Sequence, residues 1–175
     1  MILRDFNLLA TTSRGNETNA CSELSYLLEE AGESEPKLEK TNISGLFTAK
    51  TTLNPFLVIK KLRTILIEHP YEFRYVLRII PINQVISTDM TEIIRVSTEL
   101  SSGIDEDQTF RVTVEKRFTN MSSQEIIEAV AANIQRKVDL ERPDRVMLIE
   151  ILGGLTGVSL IKPDDIISVT KEKLL

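Results

Sequence analysis

From Thr109 to Phe118 the chain reads as an alternating strand. Phe110, Val112 and Val114 fall on one face, and Arg111, Thr113 and Glu115 on the other. A period of two with one polar side is a half-buried strand. Ser122 and Glu125 then give an S-x-x-E capping box, which opens a helix with apolar positions at Ile127, Val130, Ala131, Ile134 and Val138. Pro143 and Asp144 make a turn. Arg145 to Leu152 is almost continuously apolar, as in a strand central to its sheet. A strand, a helix and a second strand of these lengths suit a parallel crossover.

The segments before this crossover follow a second pattern. Leu3 to Thr12 reads as a strand. Ala20, Leu24, Leu27, Leu28 and Ala31 line one helical face, which Gly32 ends. Glu33 to Pro36 reads as a solvated loop. Lys37 to Thr41 and Ile43 to Lys50 read as two short strands. Asn54-Pro55 is a strong helix start carrying Phe56, Ile59, Leu62 and Leu66, and Pro70 stops that helix. Arg74 to Ile80 is a strand closed by Pro81. Strand, helix, strand, strand, helix, strand is the order of a ferredoxin-like split βαβ unit. A second module starts near Ser87, where Asp89 and Glu92 cap a helix with Ile93, Val96 and Leu100. Gly153, Gly154 and Gly157 flank a tight hairpin turn into a last strand, Val158 to Ile161. The chain is expected to be α+β, with a module over residues 1–82 and an α/β module over residues 83–175.

Composition narrows the chemistry. Apolar residues make up 42%, enough for ordinary cores, and without any Trp these must be mainly Ile, Leu and Val. No apolar run approaches the roughly 18 residues of a membrane span. Met1 to Phe6 lacks the apolar region of a signal peptide. The one cysteine, Cys21, excludes an internal disulfide and a multi-cysteine zinc site, and it suits a reducing, cytoplasmic compartment. Cys21 has no base nearby in sequence and reads as a buried, inert thiol. The one histidine, His69, sits beside Pro70 at a helix end and has no partner for a metal site or a triad. Gly153 to Gly157 lacks the Gly-Lys-Ser/Thr ending of a phosphate loop and joins two strands. Asp105, Glu106, Asp107, Asp164 and Asp165 fall in loops without a calcium pattern. No catalytic centre, cofactor or metal is expected.

The remaining chemistry is cationic. Arg74 and Arg78 are four apart on one expected strand and would share a face. Lys116 and Arg117 end the alternating strand. Arg136 and Lys137 lie near an expected helix end, where the helix dipole alone would favour them. The net charge of −5 weighs against binding nucleic acid by bulk charge. Residues 74–175 hold 13 Lys and Arg against 16 Asp and Glu. Any such binding must use a segregated face.

Several stretches resemble one family in both order and spacing. Arg74-Tyr75-Val76-Leu77-Arg78-Ile79-Ile80-Pro81-Ile82, the Val-Thr-Val-Glu-Lys-Arg end of Thr109 to Arg117, and Val138-Asp139-Leu140-Glu141-Arg142-Pro143-Asp144 are similar to motifs of THUMP proteins. So is Ile149 to Gly153 followed by Thr156 to Leu160. Gly45 to Lys50 with Asn54-Pro55 resembles the ferredoxin-like module that usually precedes a THUMP domain. The resemblance implies a tRNA-binding module that holds the acceptor end while another domain or protein does the chemistry. It is closest to the free-standing THUMP proteins that assist a tRNA cytidine acetyltransferase, with no methyltransferase, thiolase-like or deaminase domain expected to follow. It carries RNA contact to Arg74, Arg78, Lys116 and Arg117, and more loosely to Lys162 and Lys171. The expected function is a tRNA-binding adaptor, not an enzyme. The alternative is a subunit that docks on a partner protein through its acidic loops and makes no RNA contact.

Overall fold

The computed structural model describes residues 4–174. Leu3, where the first strand was expected to begin, lies outside the described residues. The elements in chain order are β1 (Leu8–Thr12), α1 (Glu17–Glu30), β2 (Lys37–Lys40), β3 (Leu46–Lys50), α2 (Pro55–Glu68), β4 (Val76–Pro81), β5 (Gln84–Ser87), α3 (Met90–Leu100), β6 (Thr109–Arg117), α4 (Ser123–Ala132), β7 (Lys137–Val138), β8 (Arg145–Leu152), β9 (Leu155–Ile161), β10 (Ile167–Ser168) and α5 (Val169–Lys173). They form two compact units. One holds the residues up to Pro81 together with those from Asp165 onward, and the other holds Ile82–Asp164.

The first unit is an antiparallel sheet in the order β10-β4-β1-β3-β2. Leu24, Leu27 and Leu28 of α1 and Ile59 and Leu62 of α2 bury against Leu8, Ala10, Phe47 and Ile79 of the sheet. The expected helix signals operate as read. The Asn54 side chain accepts the N–H of Phe56 and Leu57, and Pro55 follows at the first helical position. Gly32, at φ 104°, ends α1, and the N–H of Glu33 returns to the Leu28 carbonyl. Glu33 itself departs from the expected solvated loop. It is buried, and its carboxylate accepts Thr51 Oγ1, Thr52 Oγ1 and the Thr52 N–H. Polar groups distant in sequence compensate its burial, so no local pattern announced it. At Gly45, φ is 76° and an added Cβ would stand 2.7 Å from the Thr12 carbonyl oxygen. Only glycine lets β1 and β3 pair this closely.

The tail differs from the sequence expectation. Residues 165–175 were assigned to the second module, but Ile167 and Ser168 pair with Ile79 and Arg78 of β4. Ile167 and Val169 enter the first unit's core. Arg63 of α2 fixes the tail by donating to Glu172 and to the Ile166 carbonyl. A two-residue strand followed by one helical turn has too short a period to be seen in sequence.

The second unit is a mixed sheet in the order β5-β9-β8-β6-β7. β6 runs parallel to both β8 and β7, and β9 runs antiparallel to β8 and β5. The strand–helix–strand crossover read from Thr109 to Leu152 is present, and β8 is the middle strand. Ile93 and Val96 of α3 and Ile126 and Val130 of α4 pack with Phe110, Met147, Ile149, Ile151 and Val158. α4 is shorter than expected. Asn133 bonds the Ala129 carbonyl and closes it, so Ile134 lies beyond its end and Val138 is an exposed residue of β7. Arg136 and Lys137 therefore follow the helix rather than capping it. β5 was not expected, being four residues that continue from β4 after a bend. Gly157 lies within β9, not in the turn. An added Cβ there would meet Ile82 Cγ2 at 3.1 Å.

Candidate nucleic-acid interface

In the second unit, β5, β6 and β8 all finish at one edge of the sheet. The register places Arg117 beside Leu152, Leu152 beside Leu155, and Leu155 beside Ser87. Open α/β sheets bind ligands beyond the carboxyl ends of such strands. Both helices of this unit begin here. Asp89 caps α3 by accepting the Glu92 N–H, and Ser122 caps α4 by accepting the Glu125 N–H. Only this half of the expected capping box forms. The edge is closed by the two-residue hairpin Gly153-Gly154. Gly153 has φ 61°, as expected for this turn, and its N–H donates to the Arg117 carbonyl. Thr88 donates its hydroxyl to the Gly153 carbonyl.

β6 and the residue that follows it bring three consecutive side chains to this edge, each differently held. Lys116 is exposed, and its Nζ donates to the Met121 carbonyl at 3.0 Å, which straps the loop leading into α4. An ammonium has three donors, so two remain for a ligand. Arg117 is occupied. Its Nη1 lies 2.6 Å from Glu150 Oε2, with the Glu150 side chain 1% exposed and that of Arg117 24%. A buried carboxylate left without its cation is strongly destabilising, so Arg117 first serves the fold. Phe118 is the residue that sequence reasoning missed. Period two would place it with Phe110, Val112 and Val114 on the buried face. Instead its φ is +56° and its side chain is 71% exposed. A left-handed phenylalanine costs about 1–2 kcal/mol. Only the breakdown of alternation at Lys116-Arg117 hinted that the strand ends there.

The other expected contacts are dispersed. Arg78 lies exposed on β4, but Arg74 precedes that strand in a bend. The register between β1 and β4 shifts at Thr11/Thr12, so the two arginines do not share a regular strand face. The Glu23 carboxylate accepts the backbone N–H of Arg74, Tyr75 and Val76 and fixes the bend. Ser168 pairs with Arg78, so α5, with exposed Lys171, begins beside that strand. Lys162 follows β9 and lies past the row that joins Ile161 to Val146 and Arg111. That row is six residues from Arg117, about 20 Å along the sheet. Arg111, Arg136 and Arg145 spend their guanidinium groups on the carbonyls of Leu140, Ile104 and Gly103.

Cys21 is half-buried and packs against the first core, and burial raises its thiol pKa. His69 caps the C-terminus of α2, and its Nδ1 bonds the Tyr71 hydroxyl. Among the described residues, no group of three His, Cys, Asp or Glu is placed to hold a metal ion. No described helix is long and apolar enough to cross a membrane.

The comparisons agree with this architecture. No curated protein matches the chain by sequence. Among solved structures, the chain is similar to PH1313 from Pyrococcus horikoshii Ot3 at 18% identity and TM-score 0.65, covering 90% of this chain and 55% of that one. It is similar to TrmN from Thermus thermophilus at 15% identity and TM-score 0.60, covering 87% of this chain and 44% of that one. A third is a 4-thiouridine synthetase solved as an RNA complex with bound ATP, at 17% identity and TM-score 0.55, covering 90% and 42%. The chain thus spans about half the length of these structures, and the likeness is one of fold. Residues 87–161, within the second unit, match the profile of the THUMP domain. The chain carries a THUMP domain.

Proposed function

We propose that this protein is a cytoplasmic, non-catalytic tRNA-binding adaptor. It holds the acceptor end of a tRNA for a separate modification enzyme, a tRNA cytidine acetyltransferase. The THUMP match over residues 87–161 carries this reading. The likeness in fold to a synthetase solved with RNA supports it. The first unit is then the ferredoxin-like module that accompanies the domain. Its connectivity and its strand order β4-β1-β3-β2 favour that assignment. Lys116, Arg74, Arg78 and Lys171 supply exposed cations for phosphates, with Lys162 a more distant candidate. Arg117 contributes mainly by holding the edge in shape.

One observation favours the second reading, a protein-docking subunit without RNA contact. The second unit holds nine Lys and Arg against fourteen Asp and Glu, so the whole net charge of −5 lies there. Titrating labelled tRNA, intact and trimmed of its 3′ tail, at two salt concentrations separates the two. The adaptor binds the intact tRNA more tightly, and Lys116→Ala weakens it. Absence of binding at both salts gives the docking subunit.

A further inference from the structure

Phe118 stands alone. The other exposed large apolar residues of the second unit are Val138 and Leu140. Val138 pairs with Phe110 at the opposite end of β6, eight residues or about 26 Å away along the strand. The exposed neighbours of Phe118 in chain and sheet, Lys116, Asn120 and Gly154, are polar or lack a side chain. The backbone around it is tied down. The Gly153 N–H holds the Arg117 carbonyl, and Thr119 Oγ1 accepts the Met121 N–H. The ring is 71% exposed, and the turn at Gly154 is open, since an added Cβ there would meet nothing within 4 Å. A protein interface would need a contiguous apolar centre around such an anchor. A single ring in a polar setting suits a flat ligand whose edges stay hydrated and whose neighbour is an anion.

We propose that Phe118 is a platform on which an unpaired nucleobase of RNA stacks, with the Lys116 ammonium taking an adjoining phosphate. This rests on the RNA-binding reading and names its contact residue. Stacking accepts any base and needs it splayed from a helix, so the ligand is a single-stranded segment. The exposed Asn120 amide, a donor and an acceptor together, is available to the base edge.

The chain contains no tryptophan, so Phe118→Trp introduces one fluorophore at the platform. Its emission is followed as tRNA is added, intact and tail-trimmed, while labelled tRNA reports binding independently. The proposal expects quenching by intact tRNA and little by trimmed tRNA. It also expects Phe118→Gly to weaken binding roughly 5- to 150-fold, as loss of one stacked base does, with no fall in melting temperature. If tRNA binds while the emission stays unchanged and Phe118→Gly binds like wild type, the platform is wrong and the adaptor stands. If wild type binds no tRNA, both fall, and a shift of the indole emission by a partner protein alone would make Phe118 a docking anchor.

Discussion

Lys116 and Arg117 are adjacent cations with opposite duties. Arg117→Ala takes the guanidinium away from the buried Glu150 carboxylate, at a cost of about 3–5 kcal/mol, toward the lower figure because the arginine is partly exposed. Lys116→Ala removes one surface contact to a carbonyl and costs under about 1 kcal/mol. Denaturant melts should separate them clearly, and equal stabilities would remove the structural role assigned to Arg117. The same care applies to Phe118→Gly. It relieves about 1–2 kcal/mol of left-handed strain, offset by about 0.5–1 kcal/mol of added chain entropy. The ring is mostly exposed, so a small net gain in melting temperature is expected. Acid stability also has residue-level sources. Asp139 accepts the N–H of Arg142 and Glu141, and these bonds hold its carboxyl below its ordinary value. The Gly45 N–H does the same for Glu17. Each group is held more acidic folded than unfolded, so its contribution is present above the ordinary carboxylate range and is lost as pH falls through the folded value. Asp139→Asn and Glu17→Gln should each flatten the fall in melting temperature between about pH 5 and pH 3.

Elements with strong local signals were legible in the sequence: α2 from Asn54-Pro55, α1 from its apolar stripe and Gly32, β6 from its alternation, β8 from its apolar run. Those lost to reading are short and owe their form to distant partners. β5 has four residues, β7 and β10 two each, and β10 exists because β4 offers an edge and Arg63 holds Glu172. The candidate interface could be read in sequence only as a list of cations. Its shape depends on which strands end together and on which cations carbonyls and Glu150 have already taken. If the tail belongs to the first core, Ile167→Ala should cost about 2–5 kcal/mol there. Amide exchange should then quicken in β4 and stay unchanged in β8. Equal acceleration in both strands would mean that the two units unfold as one.

On the scale of the whole molecule, charge is partitioned. The first unit holds twelve Lys and Arg against twelve Asp and Glu, and the second carries the acidic excess. On the proposed function, RNA is held by a few positioned cations and not by a field. With Lys116, Arg74, Arg78 and Lys171 as phosphate contacts, log K against log salt should have a slope of about −3. A slope beyond about −5 would show that cations bound to carbonyls are released on binding. The return of β10 to the first sheet has a further consequence, one of timing. During synthesis the first core lacks Ile167 and Val169 until residue 169 has left the ribosome. The second unit, complete by residue 164, is made in full while the first still lacks its edge strand. Of the two units, the one that starts first is completed second, and a nascent chain stalled between the two points would carry a folded second unit and an incomplete first one.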